Sequence, residues 1–351
     1  MKKVSIIGNY GSKTKEKLSG QIVKTKICTD FLKKHFCEEK INVINTNGNK
    51  LLNALKSPFQ VFFALKKSKN VTIFPAHNGV RVFVPLLVFF RKFFKGRKLH
   101  YAVIGGWLPE FLKDKPGLAK KLKRFDGIYV ETNTMKRALE EQGFTNLFVM
   151  PNCKELAVLK KEELVYPAGE PYALCTFSRV MKEKGIEDAV NAVKTINEKY
   201  GRTVYRLDIY GQIDAGQTEW FESLKAGFPE EIHYCGAVDF SASVSVLKQY
   251  FALLFPTRFY TEGIPGTIID AYAAGVPVIS AKWQSYEDVV AEGETGIGYD
   301  FGNFEEFCSH LSDIAENPQK VICLKENCIR KAEQFLPQAA LKPLLEQMAS
   351  F

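Results

Sequence analysis

Read from its residues alone, this chain is an α/β protein of two doubly wound parallel-sheet domains in tandem. Three observations lead there. Its 351 residues suit two ordinary domains better than one. Short β-branched or aromatic runs alternate with stretches of helical period through both halves, the pattern of parallel strands joined by crossover helices. A polar stretch containing Pro and Gly, Lys160–Pro171, separates two such series.

In the first series the expected strands are Lys3–Gly8, Ile41–Asn45, Val71–Pro75, Leu99–Ile104, Gly127–Val130 and Leu147–Met150. Helices are expected between them, notably from about Gly20 to Glu38 and from about Thr132 to Gln142, with Thr132 or Asn133 placed to cap the latter. The second series has strands at Tyr172–Phe177, Tyr205–Tyr210, Ile232–Cys235, Ala252–Phe255 and Val276–Ser280. After Pro337, the stretch Gln338–Phe351 reads as a terminal helix. The domains are set at 1–165 and 166–337. No internal repeat and no low-complexity tract interrupts them.

With 46% hydrophobic and 25% charged residues the composition is globular, which excludes a disordered, collagenous or disulfide-scaffold protein. No stretch reaches the roughly 18–20 apolar residues of a membrane-spanning helix. The apolar run after Lys2-Lys3 is too short for a signal peptide, so a cytoplasmic protein is expected. Eight cysteines form no Cys-x-x-Cys pair and the five histidines are scattered, so no metal site is expected and most cysteines are read as reduced core residues.

Charge is divided unevenly along the chain. Residues 1–150 hold 29 Lys and Arg against 10 Asp and Glu, a net +19, whereas residues 151–351 hold 19 against 29, a net −10. From Lys40 to Pro109 there are twelve basic residues and no acid. Within that tract Val82–Lys98 mixes aliphatic and aromatic side chains with Arg91, Lys92, Lys95, Arg97 and Lys98, as a helix lying on an anionic membrane surface would. A nucleic-acid partner is not expected, because no RNP, zinc-finger or helix-turn-helix pattern accompanies the charge.

The densest chemistry lies between Phe255 and Ser280. A strand ends near Pro256, a loop carries Glu262 and two glycines, and Thr267 is expected to open a helix with Asp270 on its first turn. Gly275-Val276-Pro277 then ends the helix. Backbone N–H groups at a glycine-bracketed helix start cradle anions, and two carboxylates flanking such a loop can hold separate hydroxyls of one extended ligand.

Glu262, seven residues, Asp270 and the following AYAAGVPVIS resemble the acidic-x7-acidic signature of the retaining GT-B-fold glycosyltransferases of family four, with the second Glu shortened to Asp. The resemblance implies a GT-B architecture, two Rossmann-like domains facing a central cleft, with the last helix returning to the first domain. It implies that Glu262 holds hydroxyls of the donor sugar, that the amides of Ile264, Pro265, Gly266 and Thr267 face the sugar and diphosphate, and that Asp270 holds the ribose. Pro265 has no amide hydrogen and enters only as part of that loop. Thr176–Ala189 is similar to the family segment in which an Arg and a Lys before Gly grip the diphosphate, here Arg179 and Lys184. Fixed cations at that place stabilise charge that grows on the leaving diphosphate. Tyr210-Gly211-Gln212 matches the family's glycine turn under the nucleotide, and Gly8–Gly11 with Ser19-Gly20-Gln21 resembles its glycine loop opening the first helix, where Gly20 approaches the donor phosphate. His77, after a strand, stands near the family's sugar-contacting histidine, with Gly105–Glu110 as the alternative segment and Glu110 a candidate for the acceptor.

The expected activity is therefore retaining transfer of a hexose-type sugar from a nucleotide-sugar, UDP or GDP, to a glycan or lipid-linked glycan in surface polysaccharide synthesis, with no metal or other cofactor. Two rivals stand beside it. One is a nucleotide-sugar epimerase on the same fold, and the other a non-catalytic scaffold at the membrane surface.

Overall fold

The computed structural model describes residues 2–11 and 20–349. Two compact units divide the chain, Met1–Glu155 with Phe335–Phe351, and Leu156–Gln334. Each is built on a six-stranded sheet whose described pairs all run parallel.

In the first unit the strands are β1 (Lys2–Gly8), β2 (Ile41–Asn45), β3 (Ser68–Ile73), β4 (Lys98–Ala102), β5 (Gly127–Val130) and β6 (Leu147–Val149), in the order β2-β1-β3-β4-β5-β6. The inner strands β3, β4 and β5 are buried almost throughout, on both faces, whereas the edge strand β2 is buried only in part. Ile7, Val71, Ile73 and Tyr101 pack under the helices α2 (Lys50–Lys67) and α3 (His77–Phe90), through Val61, Leu65, Val84 and Leu87. Val4 and Ile6 face the other way, onto Cys28 and Leu32 of α1 (Gly20–Phe36). That second face is completed by Leu341, Leu344 and Met348 at the far end of the chain. Two short helices, Pro337–Ala340 and Lys342–Ala349, stand where one terminal helix was expected, and Ser350 and Phe351 lie outside the described residues.

In the second unit β7 (Tyr172–Phe177), β8 (Tyr205–Tyr210), β9 (Ile232–Gly236), β10 (Ala252–Phe255), β11 (Val278–Ala281) and β12 (Gly296–Tyr299) take the order β12-β11-β10-β7-β8-β9. The boundary between units falls at Glu155, ten residues before the 165 set from the sequence. The reason is packing: Leu159 donates its N–H to the Ala273 carbonyl (2.9 Å), Lys161 pairs with Glu326 (2.9 Å), and Leu164 occupies the space beside Gly275.

Several expectations change. β3 begins at Ser68, three residues early, because its polar residues find partners inside: Ser68 Oγ lies 2.8 Å from Ser5 Oγ, and Asn70 Oδ1 lies 3.1 Å from His100 Nε2. β12 had no expectation at all. It is four residues with two glycines, and a Cβ at Gly296 would sit 2.4 Å from the Val278 carbonyl oxygen, so the close strand approach itself demands the residues that hide it. Val82–Lys98 is not one surface helix: α3 ends at Phe90, a single 3₁₀ turn spans Arg91–Phe93, and Lys98 opens β4. Its aliphatic residues Val84, Leu87 and Val88 are core, Arg91 is held by Asp126 (2.9 Å), and Arg97 donates to the Leu65 carbonyl (2.9 Å). Of the cysteines only Cys28, Cys153, Cys175 and Cys328 are buried, half rather than most. Thr132 caps the helix Asn133–Glu140, its hydroxyl accepting from the Met135 N–H at 3.1 Å.

Candidate functional site

A parallel sheet whose strand order reverses leaves a crevice at the carboxyl ends of the two strands where the reversal occurs, because the connections depart to opposite sides. In the second unit the chain proceeds from β7 to β8 and β9, then returns to β10 on the other side of β7. The crevice is thus flanked by the loops that leave β7 at Phe177 and β10 at Phe255. Both predicted diphosphate and sugar contacts arise there.

After β7 the chain makes a single turn, Lys182–Lys184, closed by Gly185 at φ +68°. That glycine is obligatory, since a Cβ would lie 1.8 Å from the Pro256 carbonyl oxygen at the end of β10. Arg258 donates its N–H to the Glu183 carbonyl (2.9 Å) across the same seam. The two strand ends are thereby locked together, and Lys184 Nζ meets the Glu262 carboxylate directly. Both side chains are more than four-fifths buried, and the Lys184 ammonium also lies 5.1 Å from the centre of the Phe259 ring. Replacing Gly185 with Ala should cost about 2–4 kcal/mol, because it combines a left-handed backbone with a backbone clash. Chemical denaturation measures this, and an unchanged midpoint would refute the locking role.

Arg179 is positioned by the next loop along. Ser178 donates to the Tyr210 carbonyl (3.1 Å), Val180 to that of Gln212 (3.0 Å), and Asp214 to that of Val180 (3.0 Å). Gly211, at φ +137°, permits this, as a Cβ there would stand 1.8 Å from the Ser178 carbonyl oxygen. The guanidinium is half exposed, 3.6 Å from the Asp214 carboxylate.

Ile264 and Pro265 lead into the helix Gly266–Ala273, with Pro265 at the cap position. The helix opens one residue before Thr267, so Asp270 is its fifth residue and lies beyond the first turn, a correction to the expected placement. Asp270 is only 3% exposed and accepts a hydrogen bond from Ser243 Oγ (3.2 Å). Thr267 Oγ1 is buried and, among the described residues, has no hydrogen-bond partner. A buried hydroxyl in that state at a helix start is one a ligand oxygen would satisfy. The structure thus brings Lys184 and Glu262 into contact, seats Arg179 on the Gly211 loop, sets Ile264 to Thr267 at a helix start and draws Asp270 into the interior. Ser243, Asp214 and Phe259 were missed by sequence reasoning because each acts only through the residue it touches.

In the first unit the reversal lies between β1 and β3. His77 follows β3 as the first residue of α3 and stacks on Trp107, ring centres 3.8 Å apart, with Phe111 edge-on at 5.1 Å. The alternative segment therefore joins the histidine rather than replacing it. Partial burial, helped by the cations of Arg81 and Lys115, holds the His77 pKa below its ordinary 6.5, so its imidazole is neutral at pH 7. An NMR titration should give a midpoint under 6.5 that rises on Arg81→Ala; a midpoint unmoved by that change would contradict the cause given. Glu110 is exposed and paired with Lys113 (2.5 Å). Gly20 opens α1, and the neighbouring Gln21 side chain donates to the Phe74 carbonyl (2.9 Å). Ser19 lies outside the described residues. Deeper in this unit Lys24 and Glu131, both almost fully buried, form an ion pair at 2.6 Å that no sequence motif announced. Among the described residues no group of three or more His, Cys, Asp or Glu could hold a metal ion.

Two parallel six-stranded sheets of this order make the fold that of the GT-B glycosyltransferases. Residues 171–317, most of the second unit, match the family described as Glycosyl transferases group 1. Among solved structures, Anabaena HepE in complex with UDP is similar at TM-score 0.75 and 14% identity, covering 99% of this chain and 100% of that one. The lipopolysaccharide outer core galactosyltransferase WaaB is similar at TM-score 0.72 and 18% identity, covering 99% of both. The pneumococcal O-GlcNAc transferase GtfA, with UDP and GlcNAc, is similar at 0.63 and 17%, over 84% of this chain and 60% of that one. No curated protein sequence matches significantly.

Proposed function

We propose that the chain is a retaining glycosyltransferase that moves a hexose-type sugar from a nucleotide-sugar, most simply a UDP-sugar, to a glycan or lipid-linked glycan acceptor in surface polysaccharide synthesis. The observation that carries this reading is the Lys184–Glu262 pair at the β7/β10 crevice, beside a helix start whose Thr267 hydroxyl is buried and unsatisfied. The match of residues 171–317 and the UDP and UDP-glucose complexes of HepE support it.

In this reading donor binding exchanges partners. The diphosphate takes the Lys184 ammonium and the Arg179 guanidinium, which stabilise charge as the glycosidic bond breaks. Glu262, released from Lys184, accepts hydrogen bonds from sugar hydroxyls. The amides at Gly266 and Thr267 and the turn at Gly211 receive the phosphates, and Asp270 the ribose. His77 and Gly20, in the first unit, keep the roles that the resemblance implies for them. No side chain is assigned as a nucleophile. Since two cations already meet the diphosphate, no divalent metal is needed, and a chelator should leave the rate unchanged. The reaction runs at the cytoplasmic face of a membrane.

A thermal-shift panel of nucleotide sugars tests the reading. A true donor at about 100 times its Kd should stabilise the protein by roughly 2.7 kcal/mol. Incubating that donor with and without glycan acceptors then separates transfer from epimerisation, and NMR of the product reads its anomeric configuration. A panel in which no nucleotide sugar shifts the midpoint would reject it, as would conversion of the sugar itself without an acceptor.

A further inference from the structure

Within Val82–Lys98 the residues Val84, Leu87 and Val88 are absorbed by the core, whereas Phe89, Lys92, Phe93 and Lys95 stay exposed and join a surface that α2 extends. Along α2, Leu52, Leu55, Phe59 and Phe63 are all solvent-exposed, at spacings of three and four that place them on one side of the helix, with Phe59 70% exposed. At the end of α3, Phe89 and Phe93 are exposed as well, the latter by 67%. These two sets are one surface. An unbroken chain of ring contacts runs from Phe63 to Phe62 (5.7 Å between centres), to Phe90 (5.9 Å), to Phe89 (5.2 Å) and to Phe93 (5.8 Å).

Beside Phe93 lies a cavity of about 280 Å³ lined by Arg91, Lys92, Lys95 and Arg124 with Val88 and Gly96. Lys56, Lys66, Lys67 and Lys69 are exposed on and just beyond α2, and no acid occurs anywhere between Lys40 and Pro109. Large apolar side chains left in water in this number mark an interaction surface. Its charge chooses the partner. A second copy of the chain would bring lysines against lysines, and nucleic acid has no use for the Leu52 and Leu55 stripe. An anionic bilayer answers both features, with acyl chains for the rings and phosphates for the cations.

We propose that this face of the first unit, Leu52, Leu55, Phe59, Phe63, Phe89 and Phe93 with the basic cavity at Lys92 and Lys95, docks on an anionic phospholipid membrane, the rings entering the headgroup region and the cavity receiving a lipid phosphate. This holds independently of the reaction, since it needs no nucleotide sugar. The test is co-sedimentation of the whole chain, without donor, with phosphatidylcholine vesicles and with vesicles mixed equally with phosphatidylglycerol. Binding is expected only to the anionic vesicles and should weaken with salt. Phe59→Ser with Phe93→Ser should lower it by about 100-fold. Lys92→Ala with Lys95→Ala should lower it by about tenfold or more. Lys225→Glu in the second unit should change nothing, and all variants should keep the wild-type unfolding midpoint because the replaced side chains are exposed. Equal binding to both vesicle types, survival of binding in the double phenylalanine variant, displacement by a single-stranded oligonucleotide, or self-association in place of vesicle binding would each overturn the proposal.

Discussion

Glu262→Gln is expected to lower sugar transfer by about two to three orders of magnitude, the loss seen when one preorganised polar contact to a transition state is removed. The isosteric amide keeps the loop's volume and leaves Lys184 facing a neutral carbonyl. Because the pair is more than four-fifths buried, leaving Lys184 without its charged partner should cost about 1–3 kcal/mol of stability. Lys184→Met should give a comparable rate loss. The double variant should be no worse than about tenfold below either single one, since each change already disables the same donor geometry. Single-turnover kinetics with a donor identified by thermal shift measure all three. Additive losses would mean that Lys184 and Glu262 serve separate purposes.

Glu131→Gln should destabilise the first unit by about 3–5 kcal/mol, the largest stability effect of any single change considered. The carboxylate lies 2.6 Å from Lys24 Nζ, and both side chains are almost fully withdrawn from water. Lys24 has the Val103 carbonyl as a second partner at 3.3 Å, which cannot replace a lost negative charge. Neutralising only the acid therefore leaves a buried cation uncompensated. Lys24→Met together with Glu131→Leu should recover most of the loss, because two apolar groups need no partners. Urea unfolding of the single and double variants decides it, and a single variant within 1 kcal/mol of the wild type would show that the pair is not electrostatically isolated.

The strands were readable where burial on two faces makes a largely apolar run, as at β5, β7 and β10, whose bounds match those expected; β8 also matches, although Arg206 and Asp208 interrupt it. Reading failed where polar residues are satisfied internally, as at Ser68 and Asn70, and where strand contact requires glycine, as at β12. The site shows the same division. Glu262 and Lys184 stand in a spacing that the chain displays, and they meet. Ser243 and Asp214 carry no spacing signal, since the fold brings them in from elsewhere, and Phe259, three residues before Glu262, meets Lys184 only through the turn of its own loop. Within Val82–Lys98 hydrophobicity and charge do not say which side chains turn inward: Val84 and Leu87 are core, whereas Phe89, Lys92, Phe93 and Lys95 stay exposed. The exposed stripe Leu52, Leu55, Phe59 and Phe63 of α2 lies in the same acid-free tract, Lys40–Pro109, but was not read there as a helix face.

The path of the chain constrains how the molecule is made. Val4, Ile6 and Cys28 are synthesised long before Leu341, Leu344 and Met348, which pack against them. On the ribosome the later-translated unit, Leu156–Gln334, is complete before the earlier one can close. Until residues 341–348 have emerged, that side of the nascent sheet is incompletely covered, and its apolar residues stay open to a holding chaperone.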